Sequence, residues 1–268
     1  MIPNILSIAG SDPSGGAGIQ ADIKAISANG GYAMAAITAL TAQNTQGVTG
    51  VQMVAPDFVA AQIAAIRADI RVDAVKIGML GTAPIIRAVT ASLAGLRAPI
   101  VLDPVMVAKS GDRLLHADAV AALREVLPMA TVITPNLPEA ADLLAQPEAT
   151  SRDQMQAQAH ALLALGARSV LLKGGHLPVG DCPDLLASAA GLVWLTGPRH
   201  ATRKTHGTGC TLSSALATLL GLGLSLPAAA ARAKAYVAAA IAAADALTVG
   251  MGHGPTHHFH AQFKGTLA

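Results

Sequence analysis

The sequence predicts an α/β protein built on a mostly parallel sheet, because short aliphatic runs alternate with longer alanine-rich helical patterns along the chain. In chain order, we predict strands over residues 5–9, 35–42, 74–77, 99–102, 131–134 and 169–172, and helices over 19–29, 56–68, 84–93, 117–127 and 154–165. Parallel strands need crossover connections, and these helices supply them on both faces of the sheet. The expected architecture is a three-layer α/β/α fold.

Three further observations complete this prediction. Residues 185–188 and 192–196 are short apolar runs separated by Ala-Ala-Gly at 189–191, which predicts a hairpin and a small antiparallel extension of the sheet. Residues 212–226 are apolar throughout but glycine-interrupted and shorter than the about 20 residues of a membrane span, so we predict a buried helix. No linker-like stretch or repeat divides residues 1–268, and we expect a single domain.

Charge and cysteine content exclude several classes of protein. The chain has 18 basic and 16 acidic side chains with no basic run, and only 2% of its residues are aromatic, so a nucleic-acid-binding surface is not expected. Cys182 and Cys210 lack metal-ligand spacing and are too few for a disulfide framework. Residues 1–9 lack the features of a signal peptide. We therefore expect a cytoplasmic protein that binds neither nucleic acid nor membrane.

Polar and glycine-rich clusters follow the predicted strands, at the sheet edge where α/β folds bind ligands. They lie at residues 10–18, 43–45, 78–81, 103–112, 134–139, 173–176 and 205–210. The last cluster has the sequence THGTGC and leads into a helix-forming stretch. Because the unpaired N–H groups of a helix N-terminus attract anions, this loop predicts a phosphoryl site with the thiol of Cys210 beside it.

The first cluster and the helix after it indicate a binding pocket. The loop from Gly10 to Gly18 has four glycines but lacks Walker and dinucleotide spacing, so by itself it is equally typical of a tight turn. Asp22 lies on the apolar side of the following helix, where a carboxylate needs either a protein donor or a polar ligand. Gln43 ends the second strand and can both donate and accept, which suits the edge of a heterocycle.

Three oxygen-bearing residues and a lysine follow later strands. Asp103, Asn136 and Glu139 have the chemistry that holds Mg²⁺ at nucleotide phosphates, mostly through water. Glu139 is equally well explained as a carboxylate at a helix N-terminus. Lys173 is either a phosphate contact or a solvated lysine, and His176 alone indicates little.

Seven motifs occur in a fixed order along the chain. They are residues 9–22 (AGSD through AD), 38–45 (TALTAQNT), 76–80 (KIGML), 102–106 (LDPVM), 134–136 (TPN), 173–176 (KGGH) and 205–210 (THGTGC), and the tail at 252–259 follows them. Together they resemble the hydroxymethylpyrimidine/phosphomethylpyrimidine kinases of thiamine biosynthesis, in the ribokinase-like superfamily. The resemblance implies a ribokinase-like fold and two phosphorylations that use ATP and Mg²⁺, of 4-amino-5-hydroxymethyl-2-methylpyrimidine and then of its monophosphate.

The resemblance also implies residue roles. Gln43 would pair with the pyrimidine, and the pocket around it would be lined by Gly10, Asp22, Met79 and Val105. Lys234 would lie near the nucleotide. From the residues themselves, we also expect the nucleotide near Lys173, His176, Thr205 and His206, and the metal near Asp103, Asn136 and Glu139. Gly207, Thr208 and Gly209 would form the anion hole.

Cys210 takes the position of the aspartate base of the sugar kinases in the superfamily. At a helix N-terminus we expect its pKa to be lowered, so that it either accepts the hydroxymethyl proton or orients that oxygen.

Several alternatives stay open from the sequence. The phosphate of the monophosphate substrate could be neutralised by Lys173, by His206 or by the first glycine-rich loop, and Lys234 is equally typical of an exposed lysine. The rival enzyme is a pyridoxal or pyridoxine kinase, although Gln43 and Met79 favour the aminopyrimidine. A non-catalytic pyrimidine-binding module is the rival from another class. Relatives are commonly dimers, so we expect a homodimer.

Overall fold

The computed structural model describes residues 1–106, 119–177 and 181–263, and in these ranges nine strands form one sheet. The strands are β1 Asn4–Ser11, β2 Tyr32–Gln43, β3 Val48–Met53, β4 Ala74–Ile77, β5 Ile100–Leu102, β6 Val132–Ile133, β7 Ser169–Lys173, β8 Asp184–Ser188 and β9 Gly191–Leu195. Their order across the sheet is β3-β2-β1-β4-β5-β6-β7-β8-β9. Neighbours from β2 to β7 in this order pair in parallel, whereas β3, β8 and β9 pair antiparallel at the two edges.

Helices cover both faces of the sheet. They are α1 Gly18–Ala28, α2 Pro56–Asp69, α3 Ala83–Ser92, α4 Ala119–Val126, α5 Leu137–Leu144, α6 Arg152–Ala164, α7 Thr208–Gly221 and α8 Leu226–Ala242. One core, which includes Ile5 of β1, packs α1, α7 and α8 on one face. A larger core, which includes Leu6, packs α2 to α6 on the other. Because successive strand residues point to opposite faces, these two neighbours enter different cores, and the predicted three-layer α/β/α architecture is confirmed.

The structure adds β3, which was not predicted, places α5 at the helix N-terminus that was one interpretation of Glu139, and confirms the antiparallel extension. β8 and β9 are the expected hairpin at 185–188 and 192–196. β3 pairs antiparallel with the second half of β2, and α5 follows Asn136. Residues 107–112 of one predicted cluster and residues 117–118 of a predicted helix lie outside the described residues.

The apolar stretch at 212–226 is mostly the buried helix α7, as predicted, and the chain turns at its end. Gly223 has a φ of 86°, its N–H donates to the carbonyl of Leu220, and the N–H of Leu224 donates to that of Leu219. This pattern closes a helix with a left-handed residue that glycine adopts without strain. Within the described part of the chain, no helix has the length and apolar character needed to cross a membrane.

Candidate active site

A cavity of about 790 Å³ opens at the carboxyl ends of the parallel strands. This volume lies within the range of small-molecule sites in proteins. With the exception of Asp22, all of the predicted site residues lie on its wall. Six strand ends and the start of α7 therefore bring together motifs that are up to 200 residues apart in the chain.

The predicted phosphoryl-binding loop at residues 205–210, called the anion loop below, forms the N-terminus of α7. Gly207 precedes the helix with a φ of 75°, and no side chain caps the helix there. A Cβ atom on Gly207 would lie 1.8 Å from the carbonyl oxygen of Gly16, so this position accepts only glycine. The hydroxyl of Thr208 donates to the carbonyl of Thr205 at 2.7 Å. The N–H of Thr208 donates to the carbonyl of Thr205 at 3.3 Å, and no side chain caps the first turn, so this helix N-terminus at the cavity wall suits a phosphoryl oxygen.

Asp12, a residue that the sequence analysis did not single out, joins the first glycine-rich loop to the anion loop. Its Oδ2 lies 2.7 Å from Nε2 of His206 and accepts from the N–H of Ala17 at 2.9 Å, while Oδ1 accepts from Ser14. Burial acts to raise the pKa of Asp12, but the hydrogen bonds from His206 and Ser14 outweigh it and lower the pKa. His206 therefore reaches the cavity wall with this ring nitrogen already bound to a carboxylate.

Lys173 lies between two carboxylates and is not a solvated lysine. Its Nζ is 3.0 Å from Oδ1 of Asp103 and 3.8 Å from Oε2 of Glu139, and Thr134 donates to the same Asp103 oxygen. Burial acts to lower the pKa of Lys173, but attraction by Asp103 and Glu139 raises it. Burial raises the pKa of Glu139 to about 7, against the attraction of Lys173. Three charged groups thus meet beside the anion loop.

Asn136 and Glu139 form a capping box at the start of α5. Oδ1 of Asn136 accepts from the N–H of Glu139 at 2.8 Å, and Oε2 of Glu139 accepts from the N–H of Asn136 at 2.8 Å. The helix-terminal interpretation of Glu139 is therefore observed, and one oxygen of each side chain is already engaged.

The donor set still fits a magnesium ion that retains most of its water. In the described ranges no group of three or more His, Cys, Asp or Glu side chains is arranged to hold a metal. Asp103 and Glu139, however, both border the cavity and share Lys173 as a neighbour. Mg²⁺ is commonly bound through one or two carboxylates together with water and substrate phosphates.

Gly10, Gln43, Met79 and Val105, which are predicted to bind the substrate, all lie on the cavity wall. A Cβ atom on Gly10 would lie 3.1 Å from the sulfur of Met79, so glycine leaves room for that side chain. The carbonyl of Met79 accepts from Thr38 at 2.7 Å, which fixes the backbone there. Gln43 lies on the cavity wall, and its Oε1 accepts from the hydroxyl of Thr41 at 3.1 Å.

Asp22 lies beneath the cavity and not on its wall. Its carboxylate is fully buried, with Nζ of Lys76 at 2.8 and 2.9 Å. Ser7 donates to Oδ2 at 2.6 Å and Ser214 to Oδ1 at 2.8 Å. Protein donors therefore occupy this carboxylate, which was one of the two alternatives for it, and a direct contact of Asp22 with the pyrimidine stays a prediction. Lys76, which the sequence analysis also missed as a partner, is fully buried as well.

The predicted lowering of the Cys210 pKa is wrong. Burial raises the pKa of this thiol to about 11, and the neighbouring carboxylates of Asp22 and Asp103 add to the increase. Lys76 and a hydrogen bond from the backbone of Gly18 act in the opposite direction. The helix N-terminus is present as expected, but desolvation of the thiolate outweighs it.

Lys234 lies on the cavity wall, held in place by hydrogen bonds. Its Nζ donates to Oδ2 of Asp184 and to the carbonyl of Cys182, each at 2.7 Å. The alternative of an exposed lysine does not match this geometry. His176 is exposed at the rim of the cavity.

A family model described as phosphomethylpyrimidine kinase matches residues 12–257. The chain belongs to this family. The hydroxymethylpyrimidine/phosphomethylpyrimidine kinase of Escherichia coli (strain K12) is 52% identical over 260 residues, which cover 96% of this chain and 98% of that protein. This family membership confirms the predicted family and the predicted phosphotransferase class.

Solved structures show the same fold in related kinases. An ADP complex of Bacillus subtilis pyridoxal kinase is similar with a TM-score of 0.90 and 36% identity, over 98% of this chain and 100% of that one. The phosphomethylpyrimidine kinase from Clostridium difficile 630 is similar with a TM-score of 0.77 and 40% identity, over 88% of this chain and 97% of that one. The predicted ribokinase-like fold is therefore confirmed.

Proposed function

We propose that this kinase transfers a phosphoryl group from ATP to 4-amino-5-hydroxymethyl-2-methylpyrimidine, and then another to the resulting monophosphate. One observation carries the proposal: the anion loop at the start of α7 and the pocket around Gln43 and Met79 open into the same cavity. An acceptor ring bound at the pocket would place its hydroxymethyl group towards the loop. The names of relatives at 52% identity and nearly full coverage support the same activity.

On the nucleotide side, we propose that ATP lies between the anion loop and α8. Lys173 and Lys234 place two cations along this part of the wall, and Thr205 and His176 border it. The ADP complex named for the Bacillus subtilis neighbour supports a nucleotide site in this fold. Mg²⁺, when bound, would neutralise charge on the nucleotide phosphates. We assign Asp103 and Glu139 to hold it, with Asn136 fixing the position of Glu139 through the capping box.

For the transfer itself, we propose that backbone N–H groups of Gly207, Thr208 and Gly209 stabilise the charge on the moving phosphoryl group. Cys210 follows them and is proposed to accept the proton of the acceptor hydroxyl through its thiolate form. The hydroxyl oxygen then forms the new P–O bond as the bond to the ADP oxygen breaks. Because the pKa of this thiol is about 11, only a small thiolate fraction is present at neutral pH.

The competing activity is phosphorylation of pyridoxal, which the high structural similarity to a pyridoxal kinase brings into consideration. ATP consumption measured side by side with hydroxymethylpyrimidine, its monophosphate, pyridoxal and pyridoxine separates the two. We expect turnover with the first two. Turnover with pyridoxal or pyridoxine alone would overturn the proposal, and binding without turnover would indicate a non-catalytic module.

The predictions of a single domain and of a homodimer also stay proposals. Light scattering of the purified protein in solution gives the mass of the assembly, and a monomer would contradict the homodimer. One cooperative unfolding transition is the result expected of a single domain.

A further inference from the structure

The ion pair of Lys76 and Asp22 has no role in the mechanism proposed above, although both side chains are fully buried. Lys76 belongs to β4, whose four residues are all buried, and the two nitrogen–oxygen distances are 2.8 and 2.9 Å. A buried ion pair is weak evidence for stability, because the cost of desolvating two charges offsets their attraction. The place of this pair in the fold is therefore more informative than its strength.

The pair lies one helical turn below the catalytic thiol. α1 and α7 pack against each other, and Ser214 of α7 donates to Asp22 of α1 at 2.8 Å. Cys210 stands four residues before Ser214 in the same helix. Four residues are about one turn of a helix, a rise of about 6 Å. Through Asp22 and Ser214, the ammonium group of Lys76 is thus attached to α7 about one turn from Cys210.

Charged groups face Cys210 from several elements. Lys76 comes from β4, Asp22 from α1, Asp103 follows β5 and Lys173 ends β7. Among these, Lys76 has the largest effect on the thiol and lowers its pKa, while Asp22 raises it by less. Burial outweighs this attraction, but the lysine is the charge that most favours the thiolate.

We propose that Lys76 is a positioning residue for the kinase reaction: its ammonium group, held by Asp22 beneath the anion loop, favours ionisation of Cys210. The inference rests on the proposed role of this thiol as proton acceptor. Asp22 compensates the buried cation and fixes it, and Ser214 couples the pair to the helix that carries the thiol. Ionisation of Cys210 would therefore depend on the charge of Lys76, a side chain that does not contact the substrate.

The test measures ionisation of the thiol directly, without kinase activity. In a Cys182→Ser background, the rate of Cys210 alkylation by iodoacetamide is measured at fixed pH values between about 7 and 10, where only the thiolate reacts. The double variant Asp22→Asn/Lys76→Met removes both charges and keeps the volumes similar. We expect alkylation to be about tenfold slower, because a rise of about one unit in the pKa of Cys210 lowers the thiolate fraction tenfold. Ser7→Ala, which removes a hydrogen bond of the same cluster but no charge, should leave the rate unchanged.

A second variant retains the positive charge. Lys76→Arg keeps a cation beside Asp22, because an arginine stays charged when buried, so alkylation should remain close to the parent rate, which loss of packing would not produce. Circular dichroism confirms that each variant is folded. A folded double variant with the rate of the parent protein, or a folded Lys76→Arg variant as slow as the double variant, overturns the role of Lys76. Either result leaves the proposed kinase activity intact, because ATP consumption with the pyrimidine is measured separately.

Discussion

Gly207 provides the sharpest test of the anion loop, because its neighbourhood and its backbone angle both exclude a side chain. Replacement by alanine adds a methyl group 1.8 Å from the carbonyl oxygen of Gly16, at a residue with a φ of 75°. Gly223, at the other end of the same helix, has a φ of 86° and no neighbour within 4 Å of the corresponding position. The two substitutions therefore share the backbone strain and differ in the clash.

The magnitudes follow from this comparison. A left-handed conformation costs a residue other than glycine about 1–2 kcal/mol, so Gly223→Ala should lower the free energy of unfolding by about that amount. In Gly207→Ala the contact must also open from 1.8 Å to at least 3.0 Å, which moves the loop by more than 1 Å. Misplacing a catalytic group by about 1 Å costs about 100-fold in rate, equivalent to about 2.7 kcal/mol in the barrier.

Steady-state kinetics with saturating ATP and pyrimidine, together with urea unfolding, measure both effects. We expect Gly207→Ala to lose about 100-fold in kcat and Gly223→Ala to retain nearly full kcat, although both are destabilised. If Gly207→Ala kept kcat within about threefold of the wild type, the geometry of this loop would not be needed for transfer, and the reasoning would be refuted.

Three further predictions concern single side chains at the same cavity. Cys210→Ser should lower kcat far more than it changes KM for the pyrimidine, and wild-type kcat should rise with pH towards the thiol pKa of about 11; a flat profile would favour an orienting role. Asn136→Ala removes a helix cap and should cost about 1 kcal/mol in urea unfolding, as should Ser151→Ala at the start of α6, but only the first should reduce kcat. Asp12→Asn should destabilise most near neutral pH, since the pKa of Asp12 is lowered on folding and its contribution is lost below about pH 4; a pH-independent difference in unfolding free energy would contradict this.

Most of the fold follows from local pattern, and the one missed strand has an identifiable cause. β3 has an exposed, glycine-containing sequence without clear alternation, and its position depends on pairing with the part of β2 that extends beyond β1. α5 was anticipated only as one of two interpretations of Glu139. The spacing of Asn136 and Glu139 is that of a capping box with a proline in the first turn, so the signal for this helix was present.

The candidate site was predictable wherever a residue follows a strand, because parallel strands bring their carboxyl ends to one edge. Gln43, Asp103, Lys173 and the loop before α7 reach the cavity for this reason. Side-chain pairing across the fold was harder to predict. Asp12 binds His206 from a position 194 residues earlier, and no local pattern indicates that contact.

The pairing of Asp22 with Lys76 could have been predicted by charge balance alone. A carboxylate on the buried side of a helix and a lysine inside a buried strand each need an opposite charge, and the fold offers few places for either. The raised pKa of Cys210 could not have been predicted, because two opposing effects at the same loop decide whether the pKa rises or falls. The helix N-terminus favours a thiolate, whereas burial of the sulfur disfavours it, and burial outweighs the attraction of Lys76 as well. The packing around Cys210 therefore raises the cost of ionising the base proposed here, and a buried cation is the means this structure offers to limit that cost.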